Sequence, residues 1–201
     1  MRYLYWIPLF GLLFILPACL TVETITTRII FDKTHDLYRI HIIYENISSA
    51  ESVEKDVQSD FSYLIGQAED ESYLLERMEQ GFYIKNRRLF LQNDKIMAEE
   101  QMIARSPESL YHEFNLSMDS THWTMPLDDK EDDFNVIEHN GETIESNGNN
   151  ILIWPRDAGE ISWKSRLKQL PEYFERNQKQ MVLALKEYLN TTKGVKSEVN
   201  N

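Results

Sequence analysis

The chain has 201 residues, 42% of them hydrophobic, enough to bury one substantial core. Asp and Glu outnumber Lys and Arg by 33 to 21, a formal net charge of −12, and such a surface repels phosphate, which argues against nucleic acid as a partner. A single cysteine excludes a disulfide scaffold and a thiolate zinc cluster.

Arg2 is followed by an apolar run from Ile7 to Ile15, which leads into Leu16-Pro17-Ala18-Cys19. A cationic start, an apolar centre and a small residue at a cleavage edge make up a secretory signal peptide. Read instead as a membrane span, Tyr3 to Leu20 would be about 18 residues, the short limit for crossing a bilayer. Pro8, Gly11 and Pro17 weaken that stretch as a helix. Cys19, behind Leu16 and Ala18, resembles a bacterial lipobox, and the resemblance covers residues 1–19 only. It implies cleavage between Ala18 and Cys19, a thioether lipid on Cys19, and acylation of the new N-terminus. Two or more acyl chains would hold the protein stably, where one holds it marginally. Leu20, where an acidic residue would signal retention, resembles the outer-membrane sorting pattern of a diderm cell. Residues 1–18 are therefore expected as a signal peptide, and the mature protein as an extracytoplasmic protein of the cell envelope. No Gly/Ser-rich tether follows, so the folded part should begin close to the membrane.

Thr21 to Phe31 and Leu37 to Glu45 are rich in Ile, Thr, Val and Tyr and alternate in polarity, which predicts an antiparallel hairpin across Asp32–Asp36. The mixed faces suit a sheet covered on one side. Ser48 and Glu51 have capping-box spacing and predict a helix from Ala50 to Ala68, with Val53, Val57, Phe61, Leu64, Ile65 and Ala68 on its apolar stripe. A second helix is expected over Glu71–Gln80, stopped by Gly81. Phe82 to Gln92 reads as a strand, and Ile96 to Arg105 fits strand and helix equally.

Ser106-Pro107 predicts a short helix through His112, and Phe114 to Met118 alternates like a strand. Beyond the acidic loop Leu127–Asp133, Asn140-Gly141 between Phe134–His139 and Glu142–Ser146 is a type I′ hairpin signal. Strands at Ile151–Trp154 and Ile161–Trp163 complete a meander. Pro171 then precedes a closing helix striped by Phe174, Met181, Leu185 and Tyr188. Residues 190–201 read as a polar, disordered tail. The expectation is one α+β domain over residues 19–189. It has an antiparallel sheet, from the N-terminal hairpin and the later meander, with an early helix and a C-terminal helix packed on it.

Motifs for chemistry are sparse. Five histidines are scattered, and the combination that could converge on a metal is His112, Glu113 and His122. The carboxylates of Asp128 to Asp133 fail both EF-hand registers, which place Asp133 or Phe134 where glycine is required. No nucleotide-binding loop or serine-hydrolase elbow occurs, and no cofactor is implied. Trp123, Trp154 and Trp163 suit a ligand-binding sheet face or, more commonly, a core. The reading these features support is a membrane-tethered lipoprotein, attached through lipidated Cys19, whose domain binds or assembles with an envelope protein partner. The alternatives are a carrier of an apolar ligand and a metal-dependent hydrolase.

Overall fold

The computed structural model describes residues 19–127, 133–146 and 148–198, with side chains to residue 192. The signal peptide expected over residues 1–18 lies outside them, as do Asp128, Asp129, Glu131 and Asp132 of the acidic loop.

The domain is α+β, with two antiparallel sheets and four helices among the described residues. Strands β1 (Leu20–Asp32) and β2 (Leu37–Ser49) form the expected hairpin, in register from Leu20 opposite Ser49 to Asp32 opposite Leu37. Period-2 alternation buries Ile40, Ile42 and Tyr44 on the face opposite Arg39 and His41. Helices α1 (Glu54–Glu69) and α2 (Glu71–Glu79) follow. Next come β3 (Phe82–Gln92) and β4 (Lys95–Ala104), which pair across the Asn93-Asp94 turn, so the ambiguous segment from Ile96 is a strand. Short α3 (Pro107–Phe114) leads to β5 (Ser117–Met118) and β6 (His122–Pro126). The rest is β7 (Phe134–His139), β8 (Glu142–Ser146), β9 (Asn149–Pro155), β10 (Glu160–Leu167) and α4 (Phe174–Glu198).

The larger sheet has the order β3-β4-β2-β1-β10-β7 and the smaller one β5-β6-β9-β8. Helix α4 packs across β2 and β4, α2 lies on β3, and the small sheet completes the cover of the same face. One continuous core joins Ile40, Ile42 and Phe82 of the large sheet to Trp123, Leu152 and Trp154 of the small sheet and to Met181 and Leu185 of α4.

Four expectations are corrected. Helix α1 starts at Glu54 rather than Ala50, because β2 keeps pairing through Ser48 and Ser49, and no side chain caps the helix at Val53. Phe114 closes α3 instead of opening a strand, with Asn115 in a left-handed turn at φ 50°. Helix α4 continues to Glu198, well past Leu189, where a polar tail was expected. Finally, Asn140-Gly141 does not turn a hairpin. β7 pairs with β10 and β8 with β9, so this dipeptide is the corner where the chain passes from the large sheet to the small one.

That corner has its own chemistry. The Asn140 Oδ1 accepts from Trp154 Nε1 at 2.7 Å and from the Ser162 N–H at 2.8 Å, while its Nδ2 donates to the Glu160 carbonyl at 3.2 Å. Gly141 lies against the Trp154 indole, and a Cβ there would fall 2.6 Å from Cε2. The amide and the missing side chain serve sheet-to-sheet packing rather than a positive-φ turn.

Candidate functional site

The most distinctive local arrangement surrounds Cys19, the first described residue. Its carbonyl accepts from the Ala50 N–H at 2.7 Å, which extends the β1–β2 ladder to Cys19 itself. Its own N–H donates to Asp60 Oδ1 at 3.2 Å, and Ser49 Oγ donates to Asp60 Oδ2 at 2.5 Å. Asp60 projects from the buried side of α1 and is 4% exposed. Burial pushes its carboxyl above the ordinary aspartate value, and the bonds from Ser49 and Cys19 pull the other way.

The loop beside Cys19 is clamped from α4. Buried Asn177 donates through Nδ2 to the carbonyls of Ser49 and Glu51 at 2.9 and 2.7 Å. Arg176 Nη2 reaches the Glu51 and Ser52 carbonyls at 3.2 and 3.0 Å. The exposed Cys19 thiol is pushed up to about 11, first by its hydrogen bond with Glu51, then by burial and by the charges of Glu51, Asp60 and Asp56. Such a thiol carries little thiolate at neutral pH.

Trp123, Trp154, Trp163, Glu113 and His122, also singled out from sequence, have structural partners. Trp123, Trp154 and Trp163 are buried in the core, with Trp154 and Trp163 ring centroids 6.3 Å apart and Trp123 edge-on to Tyr38 at 5.9 Å. They fill space between the sheets and do not line an open ligand face. Glu113 is held by Arg77 in a two-pronged pair of 2.9 and 2.8 Å, with the guanidinium 4.6 Å from the Phe82 ring centre. His122 closes a turn in which its N–H donates to Asp119 Oδ1 at 2.7 Å. No group of three or more His, Cys, Asp or Glu among the described residues is placed to hold a metal ion, so His112, Glu113 and His122 do not assemble as one.

Two charge clusters escaped the sequence reading. On the open face of the large sheet, Glu99 accepts from His41 Nε2 at 2.7 Å and also pairs with Arg88. On the covered face, Glu100 is 1% exposed, with Tyr73 donating to its Oε2 at 3.3 Å and its Oε1 without a hydrogen-bond partner. Burial raises the Glu100 carboxyl, and Arg77 and Arg87 oppose that rise. The signal was present: Arg87-Arg88 sits directly opposite Glu99-Glu100 in the register that the Asn93-Asp94 turn sets. The hollow beside Glu100, lined also by Tyr44, Leu64, Ala68, Arg87 and Leu89, has about 10 Å³ of free space, room for one water and far too little for an acyl chain.

Among the described residues no helix is long and apolar enough to cross a membrane. No protein-family model matches the chain, and no curated protein is similar to it at a significant level.

Proposed function

We propose that this chain is a lipid-anchored, extracytoplasmic protein of the cell envelope, held through a thioether lipid on Cys19, whose domain is a non-enzymatic binding or assembly module. One observation carries the reading: the lipobox-like cysteine is exposed and is also where the first strand begins, so lipid attached there leaves directly from the fold. The partner would be an envelope protein, and in a diderm cell the anchor would reach the outer membrane. A surface for such a partner is offered by α2, which turns Arg77 inward and leaves Leu75 and Met78 exposed.

Metabolic labelling with a palmitate analogue tests the anchor. The expected result is label on the wild type, none on Cys19→Ala, and release of that variant from the membrane fraction. A Cys19→Ala protein that still labels and still sediments with membranes overturns the proposal.

A further inference from the structure

No linker separates Cys19 from the fold. Its carbonyl is already in the β1–β2 ladder and its N–H is bound to buried Asp60. Acyl chains on this residue would emerge at the domain surface, and each extended residue adds only about 3.5 Å of reach. Whatever flanks Cys19 must then lie at headgroup depth.

Strand register and connections say what flanks it. The Cys19 end of the large sheet carries the 50–53 loop after β2, the Asn93-Asp94 turn between β3 and β4, and the 168–173 connection from β10 to α4. The last of these reaches back to the strand ends, where Ser48 Oγ donates to the Phe174 carbonyl at 2.9 Å. The Asp32–Asp36 turn lies at the opposite end. Two large apolar side chains project at the Cys19 end, Val53 at 53% and Leu170 at 38% exposure. At the same end the Arg176 guanidinium lies 4.6 Å from the Tyr173 ring centre, a pairing of amphipathic side chains that suits a membrane interface. Glu51 and Asp56 carry negative charge beside Cys19, which disfavours anionic headgroups right next to the anchor point.

We infer that the Cys19 end of the domain, comprising the 50–53 loop and residues 170–176, is a lipid-contacting face that rests on zwitterionic headgroups with Val53 and Leu170 inserted. This rests on the lipid-anchor reading above, whose failure the experiment separates. The anchor sets the depth, the two apolar side chains set the tilt, and Asn177 holds the loop rigid.

The lipidated mature protein provides the test. With Cys19 blocked by lipid, Val53→Cys, Leu170→Cys and, at the far end, Thr34→Cys each present one free thiol for an environment-sensitive fluorophore. The proteins are reconstituted into phosphatidylcholine vesicles containing a headgroup-level spin-label quencher. Quenching several-fold stronger at positions 53 and 170 than at 34 is the expected result, weakening when phosphatidylglycerol replaces phosphatidylcholine. Equal quenching at all three positions on protein whose Cys19 carries lipid overturns the docking face and leaves the anchor standing. Stronger quenching with phosphatidylglycerol overturns the headgroup assignment. Absence of lipid on Cys19 overturns both.

Discussion

The backbone N–H of Cys19 donates to Asp60 Oδ1 at 3.2 Å, tying the first strand to the middle of helix α1. Asp60→Ala leaves that donor and the Ser49 hydroxyl without their acceptor. The buried Ser49 hydroxyl left unpaired costs about 1–3 kcal/mol, and a protein of this size loses roughly 2–4 °C of Tm per kcal/mol. Hydrogen exchange should quicken at the Cys19 and Ala50 amides before it quickens in the sheet centre. Unchanged protection at both amides would show that Asp60 does not hold this end.

Glu100 predicts an inverted pH dependence. Its carboxyl is raised in the fold, so the native state keeps a proton that the unfolded chain has released. Its contribution is complete below the ordinary glutamate value of 4.5 and is lost as pH rises from there through the raised value. The lowered carboxyls of Asp32, Glu99 and Asp119 act oppositely, and their contribution is lost only as pH falls through their depressed values. Urea titrations upward from pH 4.5 should therefore show a loss of stability in the wild type, relative to Glu100→Gln, as Glu100 ionises. Parallel profiles would show that Glu100 is ionised throughout.

The Arg77–Glu113 pair is buried, so removing one partner strands a charge. Glu113→Ala should cost about 3–5 kcal/mol, and combining Arg77→Met with Glu113→Leu should recover most of it. A double-mutant cycle by chemical denaturation measures the coupling. Zinc or a chelator should leave the wild-type Tm unmoved, since Glu113 is bound to arginine.

Gly141→Ala forces a methyl group into the Trp154 indole, and Asn140→Ala leaves Trp154 Nε1 and the Ser162 N–H unpaired. Each should lower stability by about 1–3 kcal/mol. The denaturation midpoint followed by tryptophan fluorescence should fall with an unchanged m-value. A wild-type midpoint for Gly141→Ala would show that the corner yields freely.

Local elements were legible where short-range physics decides them. Polarity alternation marked β1 and β2, the Ser106-Pro107 pair marked the start of α3, and the apolar stripe marked α4. The α+β class followed from their order. Partner choice was not legible, because it depends on residues far apart in the chain. Asn140-Gly141 has hairpin chemistry, yet β7 finds β10 and β8 finds β9, and Trp154 and Trp163 are buried between the two sheets so formed. Ser48 looked like a helix cap, but its hydroxyl went to the Phe174 carbonyl of α4 once β2 ran on.

The same division holds at Cys19. The lipobox-like run singled out Cys19 by residue type and order alone, since such a motif is read in an extended chain before folding. The strand expected from Thr21 already put the cysteine next to the fold; only the tertiary structure placed Asp60 on its N–H and Asn177 against the loop beside it. Those contacts span 41 residues for Cys19 and Asp60 and 128 for Ser49 and Asn177, distances over which no sequence pattern reports proximity.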